Sequence, residues 1–234
     1  MDTHGGGNPT VRMLGVPKWR DVANNYPSVT AKSLRNLASW DSGPKEGALI
    51  LWHGEPGTGK THALRALAWE WREWCDFQFV VDPDQFFSKP SYMLEALLHT
   101  NGSQRKRRDR WTVLVLEDTG ELISLDARTA LGQDLSRFLN LTDGVLGQGL
   151  KFLVLVTTNE PLSSLHPAVS RPGRCAAIIE FPPFSKSEAT EWLSHRGFVG
   201  APRSMKLADL FAASRREADL VSPAKAMGFG AIQS

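Results

Sequence analysis

Two rhythms of apolar residues alternate along this 234-residue chain. Ala48-Leu49-Ile50-Leu51-Trp52 is apolar throughout, as suits a parallel strand buried on both faces. Comparable runs predict further strands at 77–81, at 111–118, where the run ends in two carboxylates, at 150–156 and at 175–181. Between them, apolar residues recur every three or four positions, the spacing of a helix with one packed face. Residues 31–40 carry Leu34, Leu37 and Trp40; 61–75 carry Leu64, Leu67, Trp71 and Trp74; 127–141 carry Leu131, Leu135, Phe138 and Leu139. A shorter helix is expected at 92–98. Asp41-Ser42-Gly43-Pro44 and the two-proline stretch 82–91 interrupt the pattern. Strands alternating with helices at this spacing predict an α/β fold with a parallel sheet and right-handed crossovers.

After Pro182-Pro183 the rhythm changes, and 187–196 and 206–215 read as two helices. The expected organisation is a loose, glycine-rich segment at 1–16, one α/β domain at 17–184, a short helical lid at 185–222 and a tail without clear period at 223–234. No internal repeat is visible.

Composition narrows the class. A chain of this length with 41% hydrophobic residues buries one substantial core with a small appendage. No run of 18 apolar residues occurs, and the start lacks a basic region followed by an apolar one, so neither a membrane-spanning nor a secreted protein is expected. Cys75 and Cys175 belong to no CxxC or Cys/His cluster, which fits a reducing cytoplasm and suggests no zinc site. A net charge of +2 makes no general case for nucleic acid. The local exception is Arg105-Lys106-Arg107-Arg108-Asp109-Arg110, read either as a solvated face or as a contact for nucleic acid or an acidic partner. Of eight tryptophans, Trp52, Trp69, Trp71, Trp74 and Trp111 lie in or beside the elements around residues 54–61 and are expected to fill the core.

Those residues, Gly54-Glu55-Pro56-Gly57-Thr58-Gly59-Lys60-Thr61, have the spacing G-x-x-x-x-G-K-[ST] between a strand and a helix. Glycines let backbone N–H groups converge on phosphate oxygens. The helix that follows adds unpaired N–H groups and a dipole end of roughly half a positive charge. Lys60 can then reach the outer phosphates, and the Thr61 hydroxyl can ligate Mg²⁺. A glycine-rich turn with an incidental lysine is the competing reading. Glu117 and Asp118, at the end of a buried strand, stand where carboxylates can hold Mg²⁺ and activate a water. Asn159 closes the neighbouring strand and can orient that water or touch the outermost phosphate. Arg171 and Arg174, on a Pro-Gly turn, form a guanidinium pair suited to phosphate, or else ordinary surface ion pairs. The loop 54–61, the Glu117-Asp118 pair and Asn159 all lie at the carboxyl ends of strands, where ligands of parallel sheets bind.

The ordered set resembles an AAA-type ATPase module of the AAA+ superfamily, from Trp19 to Pro183. Trp19-Arg20-Asp21-Val22 resembles the entry segment whose backbone contacts adenine, Gly54 to Thr61 the Walker A motif and Val113 to Asp118 the Walker B slot. Leu139-Asn140-Leu141-Thr142-Asp143-Gly144 resembles the Leu-x-x-x-Asp-Gly before the second region of homology. Thr158-Asn159-Glu160-Pro161 resembles the sensor 1 segment, and Ala168 to Arg174 the arginine-finger box, with Val169 for its leucine.

The resemblance implies a P-loop NTPase fold of AAA+ type, a three-layer parallel sheet with a short C-terminal helical lid. It implies ATP and Mg²⁺ as cofactors, with Asp21, Val22, Glu55, Pro56, Gly57, Thr58, Gly59, Lys60, Thr61 and His62 around the nucleotide and Thr61 and Glu117 toward the metal. Glu117, Asp118, Asn159, Arg171 and Arg174 become the catalytic set, the arginines acting on a neighbour's nucleotide, an effect of roughly 10³ to 10⁵ in rate. A homo-oligomeric ring, usually of six, working on a protein partner is thereby expected, with nucleic acid the less favoured partner and a membrane not involved.

The chain departs from the family in three places. The acidic pair is Glu117-Asp118 rather than Asp-Glu, which by position makes Asp118 the base. No glycine follows Phe86-Phe87-Ser88, the segment near the pore-loop position, with Tyr92 close by. The lid is short, and no sensor 2 arginine can be assigned. The leading expectation is a cytoplasmic, Mg²⁺-dependent ATPase that remodels a protein. An ATP-gated scaffold with little hydrolysis, a nucleic-acid-dependent ATPase and a small-molecule phosphotransferase are the alternatives, the last leaving Asn159 and the arginine pair unexplained.

Overall fold

The computed structural model describes residues 16–44, 47–83, 86, 110–119, 151–165, 173–201 and 203–221. Its centre is a five-stranded sheet of β1 (Leu49–His53), β2 (Cys75–Phe79), β3 (Trp111–Leu116), β4 (Phe152–Thr158) and β5 (Cys175–Glu180), in the order β2-β3-β4-β1-β5. Every pairing is parallel. β1 and β4 are buried along their whole length, as their continuous apolar sequences require, whereas the edge strands β2 and β5 are covered only in part.

Helices α1 (Trp19–Val22), α2 (Ser28–Ala38) and α3 (Lys60–Glu70) precede or follow β1; α4 (Lys186–Ser194) and α5 (Leu207–Val221) follow β5. One face of the sheet, presenting Ile50, Trp52, Val113, Val115, Leu153 and Leu155, joins Leu34, Leu37, Leu64, Leu67 and Trp71 in a single core. Successive strand residues face opposite ways, and Leu49, Leu51, Leu114, Leu116, Val154 and Val156 are buried as well. The expected parallel α/β fold is the one observed.

Several boundaries differ from the sequence reading. The helix expected over 61–75 stops at Glu70, and residues 71–74 turn so that Cys75 opens β2, two residues ahead of the predicted strand. Periodicity misses this stop because Trp71 and Trp74 stay on the core side through the turn, Trp71 stacked on Trp40 with ring centroids 5.7 Å apart and its Nε1 donating to the Leu37 carbonyl. The turn is clamped from afar. Arg110 donates to the carbonyls of Arg72, Glu73 and Cys75 and to the Asp76 carboxylate. The last member of the basic run is therefore a structural residue, while 105–108 lie outside the described residues.

Trp52 and Trp71 are fully buried, and Trp74 and Trp111 pack against the core as expected. Trp69 is the exception: it stands apart from that cluster, with the Arg72 guanidinium 4.2 Å above its ring. Phe86 is also fully buried, so its side chain is a core group and not an exposed substrate grip. Phe87, Tyr92, the helices expected at 92–98 and 127–141, the 139–144 motif and Arg171 lie outside the described residues.

Residues from α4, α5 and the segments beside them form a small cluster of their own, with Phe184, Ala189, Trp192, Leu193, Leu207 and Leu210. A capping box opens α4: the Ser185 hydroxyl accepts from the Glu188 amide, and the Glu188 carboxylate accepts from the Ser185 amide. Asn25, buried beside α1, accepts from Trp192 Nε1 and from Arg196, which ties the end of α4 to the segment after α1.

Candidate functional site

The carboxyl ends of β1, β3 and β4 are neighbours because β4 pairs with both of the others. The loop after β1 is shaped by glycines that no other residue would replace without strain. Gly57 and Gly59 lie at φ +85° and +97°, and a Cβ on Gly59 would come within 2.8 Å of Leu207. Gly59 is also the N-cap of α3, so the first amides of that helix point into the loop. The Thr58 hydroxyl closes the loop on the Glu55 carbonyl at 2.7 Å.

Lys60 sits inside this loop, its Nζ donating to the Gly54 and Glu55 carbonyls and, at 2.8 Å, to Asn159 Oδ1. Burial holds its pKa below the usual lysine value, with Asp118 opposing that shift and Lys206 adding to it. Asn159 in turn donates to Asp118 Oδ1 at 2.5 Å. Beside this chain, the Thr61 hydroxyl donates to Glu117 Oε1 at 2.6 Å. Lys60, Thr61, Glu117, Asp118 and Asn159 thus form one connected patch, although they come from three separate parts of the sequence.

Hard oxygen donors paired as Thr61 and Glu117 are pairs suited to Mg²⁺. Among the described residues no group of three or more His, Cys, Asp or Glu converges on one point. An ion here would take few protein ligands and fill its shell with phosphate oxygens and water, which is how Mg²⁺ is usually held beside nucleotides.

The remaining predicted residues are placed less uniformly. His62, in the first turn of α3, has its pKa lowered by burial and then by Arg65. Asp21 pairs with Arg20 at the surface, and Val22 is buried in the core. Their segment reaches the loop through Tyr26, whose hydroxyl donates to the Gly59 carbonyl at 3.2 Å. Arg174 lies elsewhere. Its carbonyl accepts from the Ala48 and Leu49 amides, at the start of β1, whereas the phosphate loop follows that strand's end. A five-residue strand separates them, about 17 Å of rise.

Three contributors carried no legible signal. Tyr26 and Lys206 come from flanking segments; Lys206 Nζ lies 2.6 Å from Glu55 Oε2, next to a backbone bond from the Ala208 amide to the Gly57 carbonyl. The third is Thr157, whose hydroxyl accepts from the Asp118 amide at 3.0 Å.

A family model described as "ATPase family associated with various cellular activities (AAA)" matches residues 50–183, from β1 through the phosphate loop to the end of β5. The chain belongs to this AAA family. The AAA match takes in Lys60, Thr61, Glu117, Asp118, Asn159, Arg171 and Arg174, and leaves Asp21, Val22 and the lid outside. Relatives include a 26S proteasome regulatory subunit 6B homolog of Schizosaccharomyces pombe, 31% identical over 60% of this chain and 36% of that protein. Protein SAV of Sulfolobus acidocaldarius is 28% identical over 73% of this chain and 23% of its own length. A putative cell division cycle ATPase of Plasmodium falciparum is 30% identical over 57% of this chain and 11% of its own. The AAA chain thus spans well under half of each of these proteins. A chain in the structure of the E. coli MS115-1 HORMA:CdnC:Trip13 complex shares the fold, with a TM-score of 0.50 and 18% identity over 76% of this chain and 61% of that one. Among the described residues no helix is long and apolar enough to cross a membrane.

Proposed function

We propose that this AAA module binds ATP with Mg²⁺ at Gly54 to Thr61 and hydrolyses it, and that its activity depends on a second copy of the chain. The observation that carries the reading is the continuous path Lys60–Asn159–Asp118 beside Thr61–Glu117. Backbone amides of residues 57–62 and the Lys60 ammonium bind the phosphates, and the segment at Asp21 and Val22 borders the base. Thr61 and Glu117 would hold the metal, which when bound would supply charge neutralisation at the phosphate oxygens. Asn159 and Asp118, joined by their own hydrogen bond, hold a water at their shared edge. Asp118 takes the proton of that water as its oxygen bonds to the γ-phosphorus, the bond to the bridging oxygen breaks, and ADP and phosphate leave.

The Arg174 backbone lies at the opposite end of β1 from the phosphate loop. This supports a role across an interface, shared by resemblance with Arg171, and hence a ring-like homo-oligomer, six-membered by resemblance. Similarity to a proteasome regulatory subunit supports a protein as the object of the work.

The deciding test mixes two inactive chains. Asp118→Asn lacks the base but keeps its arginines, and Arg174→Ala lacks a finger but keeps the rest. Each should bind ATP and turn over negligibly alone, and mixing should restore ATPase activity. Mixtures as inactive as their components, with wild type active at a rate independent of protein concentration, would refute action in trans. Wild type that binds ATP yet hydrolyses no faster than Asp118→Asn in a single turnover would make the protein an ATP-gated scaffold.

A further inference from the structure

Among the described residues Asp118 is the one non-glycine with a positive φ, +54°. This left-handed backbone changes what the acidic pair can do. In a continuing strand, neighbouring side chains point to opposite faces of the sheet, which would turn Asp118 away from the side that Glu117 presents. Here Glu117 meets Thr61 of the loop, and Asp118 meets Asn159, which itself contacts Lys60. The turn at 118 is what brings them to one site.

Such a backbone disfavours any residue with a Cβ, and something must hold it. β3 ends at Leu116, paired with Val156, and the next residue of β4 takes over. Thr157 accepts the Asp118 amide on its hydroxyl at 3.0 Å and the Thr119 amide on its carbonyl at 3.1 Å. Thr157 is 3% exposed, so water does not compete freely for either bond. Asp and Asn tolerate the left-handed region far better than longer side chains do, which also accounts for a second carboxylate that is Asp rather than Glu.

We infer that Thr157 is a positioning residue: its hydroxyl pins the left-handed turn at Asp118 and so sets the Asp118 carboxylate against Asn159, beside the Glu117–Thr61 contact, which tunes the site to Asp at this place. The inference rests on the proposed hydrolysis for its catalytic consequence, but the pinning itself is measurable without nucleotide.

The test compares Thr157→Val, which keeps shape and loses the acceptor, with Thr157→Ser, which keeps the acceptor, and with Asp118→Glu. Amide hydrogen exchange at residue 118, in the protein without nucleotide, should accelerate in Thr157→Val and stay near wild type in Thr157→Ser. Turnover of ATP in Thr157→Val should fall about tenfold, the scale of one lost hydrogen bond, with KM changed by less than about twofold. Thr157→Ser should retain most of the activity, and Asp118→Glu, although still a carboxylate, should not. Unchanged exchange and turnover in Thr157→Val would overturn the inference. So would a Thr157→Ser chain as impaired as Thr157→Val, which would assign the effect to the methyl group, or a fully active Asp118→Glu. If wild type binds ATP without hydrolysing it, the proposed reaction fails, and the exchange comparison alone decides whether Thr157 holds the turn.

Discussion

The two ends of this parallel sheet each place a cation among the chain's own carbonyls, with opposite consequences. At the carboxyl end Lys60 donates to the Gly54 and Glu55 carbonyls inside a loop whose amides face the same space. Those bonds are replaceable, because a phosphate can take the ammonium from them. At the amino end Arg110 donates to the carbonyls of Arg72, Glu73 and Cys75 and forms an ion pair with Asp76, fastening the turn between α3 and β2. Among the described residues its acceptors are carbonyls and one carboxylate, and these bonds serve the fold. The lesson is that a basic residue is functional or structural according to what else its acceptors face, and local sequence does not record that.

The largest expected effect that would sharpen this contrast is on Lys60. Lys60→Ala should weaken ATP binding by about a hundredfold, the scale of lost charge-assisted bonds, while thermal unfolding without nucleotide is little changed. Tight ATP binding by that variant, measured by calorimetry, would break the comparison at its functional end. Arg110→Ala should behave in reverse. It should destabilise the fold by about 1–3 kcal/mol in urea unfolding, with ATP affinity unaltered once the protein is folded. An Arg110→Ala chain of full stability would remove its structural role.

The smallest effect concerns pH. His53, at the end of β1, and His62, in α3, both have pKa values lowered from 6.5, in each case chiefly by burial, with Glu180 opposing the shift at His53. In the folded chain they stay neutral where the unfolded chain takes up protons. Stability should therefore fall as pH drops below about 6.5 and through the folded values. Replacing both histidines by asparagine should flatten that part of the stability profile; an unchanged profile would show that other groups govern it.

Much of the α/β rhythm was legible because burial on both faces leaves a strand with no polar alternation. β1 and β3 matched their apolar runs almost residue for residue. The end of α3 was not legible, since Trp71 and Trp74 keep a helical spacing while the backbone already turns. Trp69, equally hydrophobic, was expected inside and stands apart from the core under Arg72, because helix position and not residue type decides which face is covered. In the candidate site, the glycine loop announced itself through spacing and conformational need. Thr157 did not, since a threonine in a strand is ordinary until the neighbouring strand ends against it.

By itself the sequence determined the phosphate loop, the strand before it and the helix after it, since these depend on residues adjacent in the chain and on the conformations glycine alone adopts easily. It also supplied the candidate acids, amide and arginines as an ordered list. Tertiary structure alone decided how that list is used. The strand order β2-β3-β4-β1-β5 brings Glu117, Asp118 and Asn159 to Lys60 and Thr61, and carries Arg174 to the opposite end of the sheet. The physical reason is that periodicity encodes which face of an element is buried, whereas the neighbour it is buried against is chosen only when the whole core packs.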